Sequence, residues 1–236
     1  MNTAFFQDFA RKYKNLVFIG EAGSGKTEAA LNLAQGFARI FEESGLYRPI
    51  HFFDMDQTKA NLRARDAADI LRESGVTLHY AEQILDTPTV AGGVIEHLKN
   101  PEPMVFMDIG GGTYGSHMIG QFAEALSGED TAVLYIFNPY RPWSVSRDEV
   151  AVTMEAVLGA GGLTASCLIC NPNLGPATTA EEWMEGYRRM LDMFPGEPIT
   201  FCCADEKIAP AVEAQTALPT WPIRVTASPE WLYDFD

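Results

Sequence analysis

The chain is 236 residues long, 47% hydrophobic and 21% charged, with four cysteines. That is enough apolar material for a sizeable core without a metal or disulfide staple, and too few cysteines for a secreted disulfide scaffold. Lys and Arg number 17 against 32 Asp and Glu, a net charge of −15, which argues against a footprint for nucleic acid or an anionic membrane surface.

Residues 1–14 form a short amphipathic stretch, expected as an N-terminal helix or arm. Its Arg11, Lys12 and Lys14 follow the aromatic residues instead of preceding an apolar core, so it does not resemble an export signal. Strand-length apolar runs lie at 15–19, 49–54, 76–80, 104–108, 132–137, 166–170, 199–202 and 223–225. They alternate with helical-period stretches at 26–41, 59–73, 89–99, 116–126, 147–158 and 180–193. Continuous apolar strands alternating with helices predict an α/β fold: a mostly parallel sheet covered on both faces. No run is long enough to span a membrane, so a cytoplasmic protein is expected. No composition shift or repeat marks a boundary, which predicts a single domain over 1–236. The aromatic segment 221–236 is expected as a docked tail burying Trp231 and Leu232.

Gly20-Glu21-Ala22-Gly23-Ser24-Gly25-Lys26-Thr27 fits the phosphate-loop pattern G-x-x-x-x-G-K-[ST] between a strand and a helix. Its glycines let backbone N–H groups wrap a phosphate, and the helix N-terminus adds the positive end of its dipole. In this reading Lys26 reaches the β- and γ-phosphates and Thr27 ligates Mg2+; Glu28 completes the run of candidate nucleotide contacts. Glu21 is expected to face solvent.

Asp54 and Asp56 follow the second strand, at the carboxyl end where ligands of such sheets bind. If the chain stays extended, they point to opposite sides, Asp54 toward the Mg2+ shell and Asp56 toward the attacking water. The alternative is a cap on the next helix. Asp108 ends a hydrophobic strand in the Walker B manner, as a metal contact through water, and Gly110, Gly111 and Gly112 behind it allow close approach to the γ-phosphate. Asn171-Pro172-Asn173-Leu174-Gly175-Pro176 stands where GTPases of this topology carry Asn-Lys-x-Asp. Without that acid, an amide suited to the adenine edge favours ATP over GTP, with Asn171 as the reader and Asn173 either joining it or setting the turn.

The phosphate loop, the Asp54/Asp56 pair, Asp108-x-Gly-Gly and Asn171, in that order, resemble the SIMIBI class of P-loop NTPases. That class includes MinD/ParA, the nitrogenase iron protein and metalloenzyme maturation ATPases. The stretches Val17–Glu21, Asn138-Pro139-Tyr140-Arg141-Pro142 and Asn171–Gly175 are similar to bacterial proteins carrying the CobQ/CobB/MinD/ParA nucleotide-binding domain. The resemblance implies seven or eight mostly parallel strands flanked by helices, with ATP and Mg2+ at the strand ends. The chain departs from it at Glu21, where ParA/MinD-like ATPases usually carry a second lysine that reaches the partner's nucleotide. This points to a monomer or weak homodimer. It departs again at 59–66, where Arg63 and Arg65 survive without the aromatic residue typical of related members.

Other features read as structural. Cys167 and Cys170 match C-x-x-C, but inside a strand residues three apart point to opposite faces, so they are expected as buried thiols; the adjacent Cys202 and Cys203 likewise diverge. His51, His79, His97 and His117 are scattered without ligand spacing. The prolines around Tyr140 and Arg141 predict a rigid loop beside the site, and Arg141, Arg63 and Arg65 are the arginines considered for hydrolysis. These features together predict an ATP-binding, slowly hydrolysing switch that serves a partner enzyme and binds neither nucleic acid nor membrane. The alternative is a small-molecule kinase or ATP-dependent ligase with an acceptor pocket near Tyr114, Tyr140 and Arg141. A ParA/MinD-like positioning ATPase is disfavoured by the charge, by Glu21 and by the lack of a basic amphipathic anchor.

Overall fold

The computed structural model describes residues 2–56, 67–80 and 92–226. Eight strands form one sheet: β1 (Asn15–Ile19), β2 (Ile50–Asp54), β3 (Val76–Tyr80), β4 (Met104–Asp108), β5 (Thr131–Phe137), β6 (Cys167–Cys170), β7 (Ile199–Asp205) and β8 (Thr220–Ile223). Their spatial order is β3-β2-β4-β1-β5-β6-β7-β8, and every pairing is parallel. The order reverses around β1, with β4 on one side and β5 on the other, and that reversal opens a crevice at the carboxyl ends of the strands.

Alternate side chains of each central strand feed two cores. Leu16, Phe18, Phe106, Leu134 and Ile136 pack beneath α1 (Thr3–Lys12), α2 (Lys26–Glu43) and α3 (Ala68–Glu73). Val17, Ile19, Val105, Met107, Val133 and Tyr135 pack beneath α4 (Val94–Lys99), α5 (Gly112–Ile119), α6 (Arg147–Gly161), α7 (Ala180–Met193) and α8 (Ala209–Thr216). Covered on both faces, β1, β4 and β5 are buried throughout, the physical reason their sequences read as unbroken apolar runs. None of the described helices is long and apolar enough to cross a membrane.

Local chemistry sets the helix ends. Ser146 accepts from the Glu149 amide at the start of α6, and Thr179 with Glu182 forms a complete capping box on α7. At α2, Gly25 sits in the left-handed region (φ 95°) and no side chain caps the first turn. Beyond β8, the Arg224 backbone is clasped by the Asn32 amide at 2.8 and 2.9 Å, and Glu28 accepts from the Thr226 amide and hydroxyl. The expected burial of Trp231 and Leu232 lies outside the described residues, as do Arg63 and Arg65.

Some sequence expectations need correction. The last strand lies at Thr220–Ile223 instead of 223–225, β7 runs on to Asp205, and α8 went unrecognised because its eight residues carry almost no amphipathic pattern. The histidines, too, are not all scattered: His51 on β2, His79 on β3 and His97 on α4 meet on one face of the sheet. Parallel pairing of β2 with β3, in which Phe53 registers with His79, closes a gap that sequence spacing hides. The cysteine expectation is met: Cys167 and Cys203 lie in one core, Cys170 and Cys202 in the other, all free and buried.

Gly36, within α2, marks where the helix meets β8. A Cβ there would lie 2.1 Å from Trp221 Cζ2, and Trp221 is itself buried between Phe6 and Phe37. Replacing a mid-helix glycine by alanine ordinarily gains ~1 kcal/mol, but overpacking costs ~1–3 kcal/mol. Gly36→Ala is therefore expected to lower the midpoint of urea unfolding; an unchanged or raised midpoint would show that Trp221 yields freely.

Candidate nucleotide-binding site

The glycine-rich loop leaves β1 at the crevice and enters α2, as its motif requires. Gly20 and Gly23 hold φ of 146° and 72°. Side chains are excluded by contact as well: a Cβ on Gly20 would meet the Ile136 carbonyl at 2.6 Å, and one on Gly25 would meet Asn171 Nδ2 at 2.2 Å. Lys26 and Thr27 are buried in the first turn of α2. The Lys26 ammonium donates to the Glu21 carbonyl at 2.8 Å, lying back across the loop that it closes. The Glu21 carboxylate accepts from the Ala22 amide, while Glu28 is turned to Thr226, away from the loop.

Beneath the loop lies a cluster of buried carboxylates. Asp108 at the end of β4 registers with Asp54 at the end of β2. Asp54, Asp56 and Asp108 are each at most 3% exposed. Thr27 Oγ1 donates to Asp108 Oδ2 at 2.7 Å, and Asp108 Oδ1 is buried without a hydrogen-bond partner among the described residues. The Asp108 carboxyl is pushed up to about 7, first by burial and then by the neighbouring Asp54; Thr27 and Lys26 pull it the other way and Asp56 adds to the rise. A site this acidic and this dry fits a divalent cation, which would replace the missing proton and satisfy Oδ1. The extended chain assumed for the Asp54/Asp56 pair is not found. The Asp56 amide turns back to Asp54 Oδ1 at 3.0 Å, and the Asp56 carboxylate lies against Gly110, so both acids join Asp108 instead of facing apart.

The glycines after β4 pack against the loop. A Cβ on Gly111 would come 2.5 Å from Ala22 Cα, and one on Gly115 2.1 Å from the Gly110 carbonyl. A side chain at Gly111 would push the two loops apart, and one at Gly115 would displace the Gly110 peptide.

Asn171, at the end of β6, donates from Nδ2 to the Ser24 carbonyl at 2.8 Å. Asn173 sets its turn, accepting from the Gly175 amide at 2.6 Å. Together with Pro176, Thr178, Asp205 and Val225 they line a cleft beside the phosphate loop. Asp205 was missed because the strand was ended at Cys202; an acid closing a parallel strand is the same signal that marked Asp54 and Asp108. Sequence reasoning also passed over Asn138, whose side chain donates to the Asn173 carbonyl at 2.9 Å and accepts from the Tyr140 amide at 3.1 Å. Arg141 donates from Nε to the Gly23 carbonyl at 2.8 Å. Tyr140 is committed elsewhere: its hydroxyl donates to the Glu182 carbonyl and Arg189 lies over its ring. His117 is exposed in the last turn of α5.

No family model matches the chain, and no curated protein does. Solved structures are similar. Cell division protein FtsY from Thermotoga maritima superposes with a TM-score of 0.55 at 15% identity, over 86% of this chain and 69% of that one. Chloroplast FtsY from Physcomitrella patens gives 0.52 at 12% identity, over 84% and 65%. The signal recognition particle receptor FtsY from Elizabethkingia anophelis, in complex with GDP, gives 0.50 at 14% identity, over 85% and 62%. The chain thus spans about two thirds of the length of these structures. Likeness at this identity is one of fold, and it does not single out the CobQ/MinD-like group. With its parallel sheet and strand–loop–helix at the crevice, the chain has the fold of a SIMIBI-class P-loop NTPase.

Proposed function

We propose that the chain is a Mg2+-dependent ATP-binding switch that hydrolyses ATP slowly and serves a partner enzyme. The observation that supports this most directly is the Thr27–Asp108 hydrogen bond, which joins the first turn of α2 to the end of β4 over a buried acidic cluster. Thr27, Asp108 and Asp54 would hold Mg2+, whose chemistry there is to neutralise phosphate charge and orient the phosphates. Lys26 exchanges the Glu21 carbonyl for the β- and γ-phosphates. Asp56, beside Gly110, orients the water, and Gly110 and Gly111 report the γ-phosphate to α5. The −15 charge favours a basic partner surface.

Adenine is preferred because Leu174 occupies the position of the guanine-gripping acid in Asn-x-x-Asp spacing. Guanine remains a second reading for a specific reason: Asp205, whose carboxylate accepts from the Lys207 amide, lines the same cleft, and one similar structure holds GDP. Of the residues named for the kinase or ligase alternative, Tyr140 is committed to the Glu182 carbonyl, while Arg141 stays at the phosphate loop on the Gly23 carbonyl.

Calorimetry should show Mg·ATP binding to the wild-type chain, at least ~100-fold weakened in Lys26→Ala, the loss of two or so charge-assisted bonds. Tighter binding of Mg·GTP, lost in Asp205→Ala, would establish the guanine reading; absence of binding to either nucleotide would overturn the switch.

Asp56→Asn is expected to retain Mg·ATP within a few-fold while hydrolysis slows ~100-fold or more. Trapped with ATP, it should also recover the partner enzyme from a native lysate in greater yield than wild type. Hydrolysis at the wild-type rate would remove Asp56 from the water-orienting role.

The raised Asp108 carboxyl gives a pH signature. Between its ordinary value and about 7 the native chain holds a proton that the unfolded chain has lost, so stability without Mg2+ falls as pH rises through that window. Mg·ATP must displace the same proton, so its affinity rises from pH 6 to 8 with proton uptake by the buffer. Asp108→Asn should flatten the stability profile; an unchanged profile would place the proton elsewhere.

A further inference from the structure

Away from the nucleotide crevice, the sheet edge formed by β2 and β3 carries a cluster that the proposed switch does not use. His51 projects from β2, His79 from β3 and His97 from α4, which covers that edge. All three are half-buried, and each offers a ring nitrogen such that these atoms lie within 4.8 Å of one another. The rings are held in place. His79 stacks on Phe53, the rings nearly parallel with centroids 4.4 Å apart, and the His51 and His97 ring centroids lie 4.2 Å apart. His97 Nδ1 is 2.8 Å from the Gly93 carbonyl, an acceptor that demands N–H at that position and leaves Nε2 with its lone pair outward. This is the outer-shell carbonyl contact that commonly orients a ligating imidazole. α4 itself is fastened to the body by Lys14, whose ammonium donates to the Leu98 carbonyl and, at 2.9 Å, to that of Asn100.

We infer that His51, His79 and His97 form a binding site for a borderline divalent metal ion such as Zn2+, Co2+ or Ni2+. Three neutral imidazoles match that class, whereas the harder Mg2+ and Ca2+ take oxygen ligands. In a tetrahedral centre with metal–nitrogen bonds of about 2.0–2.1 Å, ligand nitrogens stand ~3.3 Å apart. The observed spacings bracket that value: His51 Nδ1 and His79 Nε2 are 2.8 Å apart, and the set closes within 4.8 Å, so small ring rotations admit the ion. The single proton shared by the 2.8 Å pair moves to another ring nitrogen by tautomer exchange, and each ring stays neutral. Burial and the neighbouring rings also hold His51 at about 4 and lower His79, which keeps the lone pairs available at neutral pH. With three protein ligands on a half-exposed face, the fourth position is open to water or to a ligand carried by another molecule.

The site makes no use of the phosphate loop, so it is tested apart from nucleotide binding. The chelator-treated 236-residue chain is titrated with Co2+ by visible absorption and with Zn2+ by calorimetry, without nucleotide and with Mg2+ in excess to occupy the Asp54/Asp56/Asp108 cluster. One equivalent is expected to bind with micromolar or tighter affinity and to give the intense visible bands of tetrahedral Co2+. His79→Gln and His97→Gln should each weaken binding at least tenfold, while His117→Gln binds as wild type does. Should the histidine variants fail to fold, Cu2+ bound to the wild-type chain reports its ligands by electron paramagnetic resonance, where coupling to three imidazole nitrogens is expected. Lack of saturable binding, a spectrum of oxygen ligands alone, or binding that survives in the folded His79→Gln/His97→Gln double variant would overturn the assignment.

Discussion

The structure turns on one short contact, the hydroxyl of Thr27 against the carboxylate of Asp108. It fixes the first turn of α2 to the end of β4, so the glycine loop between β1 and α2 has both of its ends anchored on adjacent central strands. It also sits where electrostatic cost is greatest. Three carboxylates are gathered out of water, and removing a charge from water costs several kcal/mol unless it is paired. A core that tolerates such a cluster is under tension that a cation, or a proton on Asp108, relieves. The same burial that raises the cost of these charges makes a bound ion count for more, because little screens it.

That tension is localised by the sheet. Parallel strands in the order found here end together, so Asp54, Asp108 and the glycine loop emerge on one edge without any of them being near in sequence. The two faces are divided by side-chain alternation alone: Phe18, Phe52 and Phe106 stack beneath α2, and the next residue of each strand supports the helices opposite. The stacked aromatic layer stiffens the floor of the site.

How much of this was legible depended on range. β1, β3 and β4 fall where the apolar runs placed them, and the phosphate loop, Asp54 and Asp108 announce themselves because their chemistry is written within a few consecutive residues. The opposed cysteines followed from strand geometry, which is also local. What failed was either weakly patterned or long in range. α8 is short and starts beside a proline, and Asp205 lay past a strand end drawn too early. The Asp54/Asp56 pair was expected to diverge, but β2 ends at Asp54 and an Asx turn redirects the chain. The meeting of His51 with His79 and His97 depends on a register between strands and on where α4 lands, neither of which is written in the intervals between them.

The loop's geometry explains how the site presents its donors to an anion. A chain of carbonyls beside a phosphate would be repulsive, and three of those in the loop are held by side-chain donors. Lys26 takes that of Glu21, Arg141 that of Gly23 and Asn171 that of Ser24. In a trans peptide plane the N–H points opposite to the carbonyl, so drawing the Gly23 and Ser24 carbonyls toward Arg141 and Asn171 turns the amides of Ser24 and Gly25 the other way. Two of the three donors come from the loops after β5 and β6, which Asn138 ties together. The third, Lys26, is the one whose charge a phosphate would attract. A phosphate that drew the ammonium away would leave the Glu21 carbonyl to the Ser24 amide, which donates to it at 3.2 Å, while Arg141 and Asn171 keep their holds on the Gly23 and Ser24 carbonyls.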